Sequence, residues 1–175
     1  MNAVVNIRPI ELGDKEAFYN LVNENTDRLT NYFPITIEKA ATPEIAETSI
    51  KMYEILAGKN ELHVFIMERD TDKKILGMVF LKNIDHRVHK CELAYFIDKE
   101  EEGKGITSNA VKESIAIAFD KLNLNKVFLR VDPNNIPSNR IAQKNGFQLE
   151  GVLKNEFRVH DGSFIDLNYY GLLRN

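Results

Sequence analysis

The spacing of apolar residues changes several times along the chain, and each spacing predicts a different element. Residues 3–10 (AVVNIRPI) predict a short first strand. Asp14 then stands as a helix N-cap, with Ala17, Phe18, Leu21 and Val22 on one face at helical spacing. Residues 24–40 show no regular period and carry the pair Tyr32-Phe33 followed by Pro34. Thr42-Pro43 pairs a cap residue with proline at the first helical position. Ile45, Ile50, Met52, Tyr53 and Leu56 follow as an apolar face, and Gly58 is the predicted stop. Three short runs rich in strand formers come next, at 62–67, 75–81 and 91–98, bounded by turn residues. They predict antiparallel hairpins.

The period then lengthens. Ile106, Ala110, Val111, Ile115, Ala118, Phe119 and Leu122 recur three to five residues apart, which predicts a long amphipathic helix. KVFLRV at 126–131 reads as a compact buried strand. A short helix starts at Pro137, carries Ile141 and Ala142, and ends in a left-handed Gly146. Residues 148–153 and 164–173 predict a closing hairpin around Asp161-Gly162. No repeat or linker divides the chain, so the expectation is one α+β domain over residues 1–175. Its mixed, mostly antiparallel central sheet would be flanked by about four helices.

Composition narrows the function classes. The chain has 175 residues, 43% hydrophobic and 28% charged, the balance of a globular protein. Apolar runs reach only six or seven residues, so no membrane-spanning helix is expected. The opening MNAVVNIRPI lacks the charged start and apolar run of a secretory signal, and a cytoplasmic location is the default expectation. One cysteine, Cys91, forbids an internal disulfide and a cysteine-built zinc cage. It reads as a small packing residue. With 23 basic and 26 acidic residues the net charge is −3, so no broad nucleic-acid surface is indicated. Any anion site must be local.

One segment supplies such a site. Glu102-Gly103-Lys104-Gly105-Ile106-Thr107 lies between a strand and the long helix. Two glycines permit a turn whose N–H groups converge, and the helix start adds unpaired donors and a positive dipole end. Phosphate or pyrophosphate fits such a cradle. The segment is neither a P-loop nor a dinucleotide fingerprint. Taken alone it reads first as a flexible loop with a glycine helix start, because short glycine motifs are weak evidence.

A second constellation follows some thirty residues later: Asp132-Pro133-Asn134-Asn135-Ile136-Pro137-Ser138, running on to Lys144-Asn145-Gly146-Phe147. A buried strand, an Asn-x-x-Ser at the next helix entrance and a Lys-x-Gly-Phe ending occur in series. In this order, with Glu150-Gly151, Asp161-Gly162 and Asp166 through Tyr170 after them, the chain resembles the GNAT acetyltransferase superfamily, and within it the RimJ/RimL-like branch. The resemblance implies a sheet splayed between its fourth and fifth strands, 91–98 and 126–131. Acetyl-CoA would enter the opening as cosubstrate. Its pantetheine would run along Phe96-Ile97 like an added strand, and its pyrophosphate would sit on the N–H groups of Gly103, Lys104, Gly105, Ile106 and Thr107. The family's turn is Gln/Arg-x-x-Gly-x-Gly/Ala, whereas Glu102 and Thr107 stand at its ends here. Glu102 is therefore expected to point away from the phosphates, with Lys104 offsetting its charge.

The same resemblance implies direct attack of an amine on the thioester in a ternary complex. Ser138 would stand near the sulfur as a hydrogen-bond donor, and Asn135 would bond the pantetheine arm. Both also read as helix caps. Glu156 and, in competition with it, Glu92 are the candidate bases, each also readable as a solvated or salt-bridged carboxylate. Lys144 could reach the 3′-phosphate. The segments Tyr32-Phe33-Pro34 and 83–90 are the expected acceptor-recognition loops. His86 and His89 lie near Asp85 and Cys91, but their spacing does not support a metal site. His63 and His160 read as structural.

The implied acceptor is a primary amine, a protein N-terminus such as that of a ribosomal protein. A small amine (polyamine, amino acid or drug) is the alternative within the same chemistry. A non-catalytic acyl-CoA-binding module, and an α+β domain whose glycine turn binds nothing, are the alternatives outside it. An exposed or exchanged C-terminal strand would support a homodimer.

Overall fold

A computed structural model describes residues 5–174. In chain order the elements are β1 (Val5–Pro9), α1 (Lys15–Glu24), α2 (Thr26–Leu29), α3 (Pro34–Lys39), α4 (Pro43–Gly58), β2 (His63–Arg69), β3 (Ile75–Asp85), β4 (Lys90–Ile97), α5 (Ile106–Ala116), β5 (Lys126–Val131), α6 (Ile136–Lys144), β6 (Gln148–Arg158) and β7 (Phe164–Leu173). The first strand is shorter than the 3–10 segment. It ends at Pro9, and residues 3 and 4 lie outside the described residues.

The fold is α+β, with the seven strands in the order β1-β2-β3-β4-β5-β7-β6. Every neighbouring pair is antiparallel except β4–β5. That parallel pair holds only at Lys90↔Lys126, Cys91↔Val127 and Glu92↔Phe128. Beyond Glu92 and Phe128 the strands part, which is the splay expected at this position.

Helices cover both faces of the sheet, so β2 and β3 read as nearly continuous apolar runs. Alternate residues serve opposite cores. Val64, Ile66, Met78 and Phe80 pack with Phe18 and Leu21 of α1 and Ala46 and Ile50 of α4. Phe65, Met67, Val79 and Leu81 pack with Ala110 and Val111 of α5. Phe18 and Ile50 are completely buried. Each such side chain contributes about 1.5–3 kcal/mol relative to exposure.

Two parts differ from the sequence expectation. The aperiodic stretch at 24–40 contains the short helices α2 and α3, which bring the α-helices among the described residues to six. Helices of one turn or so do not hold alone in water. Here Pro34 starts α3, and Phe33 packs on Phe80 and Phe96 at centroid distances of 6.1 and 5.3 Å. The stability is tertiary, so no local period announces it. The long helix also stops being α-helical at Ala116, and Ile117–Lys121 forms a wider π-helical turn. No helix among the described residues is long and apolar enough to cross a membrane.

Candidate active site

The gap between β4 and β5 opens into a cavity of about 770 Å³. Phe96 and Ile97 of β4 line one side, and Asn135, Ser138 and Lys144 of the α6 region line the other. Gly103, Gly105, Ile106 and Thr107 form its end. Gly103 and Gly105 have φ of 75° and 79°. A Cβ at either would meet nothing within 4 Å, so the need for glycine there is conformational, not steric. The first i→i−4 bond of α5 runs from Asn109 N–H to the Gly105 carbonyl, 3.3 Å. The amides of Ile106, Thr107 and Ser108 precede it and have no intrahelical acceptor. These are the donors of an anion site at the positive end of the helix.

The charges around the turn are arranged differently from the sequence expectation. Lys104 does not offset Glu102. Its ammonium bonds Glu101 at 3.0 Å, which also accepts from Arg69 at 2.5 Å. Lys104 therefore lies outside the cavity lining, unlike the other nine positions assigned to the cofactor. Glu102 does line the cavity and pairs with Arg28 of α2.

At the α6 entrance, Asn135 caps the helix by accepting from the Ser138 N–H at 3.1 Å. The cap uses the serine backbone, so it leaves the Ser138 hydroxyl available. Asn135 and Ser138 border both this cavity and a smaller one of about 130 Å³. Tyr32, Phe33 and Tyr95 are likewise shared. The smaller cavity continues past Glu92, Arg130 and Asp132. The Tyr32-Phe33 segment thus stands at the meeting point of the two cavities. The 83–90 segment contributes no lining residue to either. His86 and His89 each bond a backbone carbonyl, at Asn60 and Asn123. Among the described residues no group of metal-binding side chains assembles.

Arg130 holds both candidate bases. Its Nε and Nη2 donate to the two oxygens of Glu92, at 3.2 and 3.0 Å, and its Nη1 donates to Glu156 at 2.8 Å. Asn83 adds a bond to Glu92 at 2.7 Å. Glu92 is only 4% exposed and fully engaged. Glu156 is exposed and gives one oxygen to Arg130. Partial burial works against the Arg130 charge, but Glu92 and then Glu156 outweigh it and raise its pKa. Cys91 is fully buried. Burial, reinforced by Glu92, pushes its thiol up to about 12.

Several site residues were not singled out from sequence. Arg130 is a charge inside the apolar run KVFLRV, and a charge in such a run needs a partner. That signal was available. Asn139 had none. It is buried, donates to the backbone carbonyls of Asp132 and Asn135 at 2.9 and 2.8 Å, and accepts from Asn168 and Tyr170 at 2.9 Å each. It thereby ties the end of β5 to α6 and β7.

Residues 5–148 match the family described as Acetyltransferase (GNAT) domain. The spermidine N(1)-acetyltransferase of Escherichia coli (strain K12) is 31% identical over 156 residues, covering 89% of this chain and 79% of that protein. The crystal structure of ribosomal-protein-S5-alanine acetyltransferase from Vibrio fischeri superimposes with a TM-score of 0.91 at 25% identity, covering 98% of this chain and 93% of that one. RimL, the ribosomal L7/L12 alpha-N-protein acetyltransferase, in its structure with coenzyme A, shares the fold with a TM-score of 0.88 at 18% identity, over 99% of this chain and 95% of that one. An open sheet with a glycine turn at its split, together with these matches, establishes that the chain belongs to the GNAT acetyltransferase family.

Proposed function

We propose that the chain transfers the acetyl group of acetyl-CoA to a primary amine by direct attack in a ternary complex, with a protein N-terminus as acceptor. The observation that carries this reading is the meeting of the two cavities at Asn135 and Ser138. A thioester in the larger cavity and an amine in the smaller one would face each other there. The pyrophosphate would rest on the amides from Gly103 to Thr107. The pantetheine would follow Phe96-Ile97 and bond Asn135, and Lys144 would lie within the same cavity for the 3′-phosphate.

In the reaction the ammonium first loses a proton, and its lone pair then forms the C–N bond at the thioester carbonyl. Collapse of the tetrahedral intermediate breaks the C–S bond, and the departing thiolate is protonated. Ser138 would donate a hydrogen bond to that sulfur. Of the two candidate bases, Glu156 lies outside the lining of both cavities but keeps one oxygen clear of Arg130, so it would act through a water. Glu92 would have to surrender a buried ion pair to accept a proton. An acyl-cysteine route is disfavoured because Cys91 is buried and its thiol resists ionisation. One free cysteine suits a reducing compartment, and we place the reaction in the cytoplasm.

The relative in Escherichia coli is named for spermidine, so a small polyamine is the competing acceptor. Thiol release from acetyl-CoA, measured against peptides with free N-termini and against spermidine, decides between them. Transfer to spermidine alone would overturn the protein acceptor. Parallel instead of intersecting initial-rate lines would overturn the ternary complex. Ser138→Ala should lower kcat about 10- to 100-fold while acetyl-CoA still binds. Unchanged kinetics would remove Ser138 from the mechanism.

A further inference from the structure

Four carboxylates line the two cavities: Glu92, Glu101, Glu102 and Asp132. Three are neutralised. Glu92 pairs with Arg130, Glu101 with Arg69 and Lys104, and Glu102 with Arg28. Asp132 forms no ion pair among the described residues. Its partners are neutral donors: the Tyr32 phenol at 2.6 Å and the Asn134 backbone N–H at 2.7 Å. A half-buried carboxylate without an ion pair leaves its charge available to a cation.

Its position is fixed. The Asp132 carbonyl is held by Asn139, which Asn168 and Tyr170 hold in turn. The carboxylate therefore projects from a backbone that does not need to reorganise when a ligand arrives. Its phenolic partner comes from the far side of the opening, since Tyr32 lies between α2 and α3 and borders both cavities. Burial and then the Asp132 contact raise the Tyr32 pKa to about 12, so the phenol stays a donor and adds no charge.

We infer that Asp132 is the seat of the acceptor's ammonium group, with Tyr32 as the neutral cap that shares the carboxylate with it. This makes Asp132 the group that favours a cationic acceptor over a neutral alcohol or amide in the smaller cavity. The inference rests on the reading that this cavity takes the acceptor. Asp132 is assigned to binding and orientation, while the proton departs to Glu156 or water.

The test is an NMR titration of the protein saturated with coenzyme A. The probes are spermidine, a tetrapeptide amide with a free N-terminal alanine, and the same peptide N-acetylated. Wild type should bind at least one of the two cationic probes. Asp132→Asn should bind that probe at least 10-fold more weakly at unchanged coenzyme A affinity. The acetylated peptide should bind wild type no better than the free peptide binds Asp132→Asn. Tyr32→Phe leaves the carboxylate in place and should bind the cation as tightly as wild type or tighter. Equal affinity in wild type and Asp132→Asn, no binding of either cation to wild type, or loss of binding in Tyr32→Phe would each overturn the seat. Thiol release by wild type from acetyl-CoA with the same two amines reads the acceptor assignment separately. Binding that needs Asp132 without any turnover would keep the seat and overturn the proposed acceptors.

Discussion

Arg28 of α2 pairs with Glu102, the residue immediately before Gly103, at the edge of the larger cavity. The same guanidinium donates to the Ile97 carbonyl at 3.2 Å, at the end of β4. One cation thus joins the first part of the chain to the β4 wall and to the glycine-turn end of the proposed cofactor site. Glu102, which opposes an anionic ligand in sequence terms, is neutralised here by a residue 74 positions away.

This pair sets the first prediction. Removing the carboxylate leaves Arg28 free to act on phosphate, and removing Arg28 leaves Glu102 to repel it. Glu102→Gln should bind acetyl-CoA several-fold more tightly, and Arg28→Ala several-fold more weakly. Both effects should shrink at high salt because the pair is exposed. Calorimetric titration at low and high ionic strength reads both. Weaker binding by Glu102→Gln at low salt would contradict the assignment.

Arg130 is expected to matter for folding before it matters for rate. Arg130→Met leaves the buried Glu92 charge with only Lys82, 3.6 Å away, as its cation, and removing one partner of a buried pair costs about 3–5 kcal/mol. For a chain of this size each kcal/mol lowers Tm by roughly 2–4 °C. Adding Glu92→Gln to Arg130→Met should restore much of the loss, because the buried charge is then gone and the charges that lose a partner, Lys82 and Glu156, both reach solvent. Thermal denaturation of the three variants measures this, and a single-variant loss below about 1 kcal/mol would show that Glu92 finds other compensation.

Gly77 on β3 lies opposite Ile97 on β4. A Cβ there would stand 2.5 Å from the Phe96 carbonyl oxygen and 3.0 Å from the Ile97 Cα, both backbone atoms of the proposed pantetheine strand. Backbone cannot rotate away as a side chain can, so Gly77→Ala must push β3 and β4 apart. Overpacking of this kind costs about 1–3 kcal/mol. Both a lower Tm and weaker acetyl-CoA binding are expected. A normal Tm would mean that the strands separate at little cost.

The Cys91 thiol, held up at about 12 by burial, should be inert toward alkylating reagents at pH 8 and react once the chain is unfolded in urea. The linkage has a definite sign. The folded pKa lies above the ordinary value of 9, so this contribution to stability is complete below pH 9 and is lost as pH rises toward 12. Rapid labelling of native protein, followed by mass spectrometry, would show that the site opens.

Much of the fold was legible because its signals are local. Thr42-Pro43 caps α4 as its residues dictate, with the Ile45 N–H on the Thr42 hydroxyl at 3.3 Å. The closing strands pair antiparallel as their runs predict, although β6 continues to Arg158 through irregular register. The short helices α2 and α3 were not legible, since aromatic packing on Phe80 and Phe96 supports them from across the chain. Within the site, the glycine turn and the Asn135/Ser138 cap could be read from spacing. The Arg130 bridge and the Asn139 network could not, because their partners are separated by 26 to 38 positions.

By itself the sequence determined the order of elements, the glycine turn at the entrance of α5 and the family resemblance, all of which depend on neighbours along the chain. Only the tertiary structure decided which charges are spent and which are free. Glu92, Glu101, Glu102, Asp132 and Glu156 all read in the sequence simply as carboxylates. Ion pairing depends on distances of a few ångströms between residues remote in sequence, and only folding sets those distances. It places cations against four of them and leaves Asp132 with a phenol and an amide.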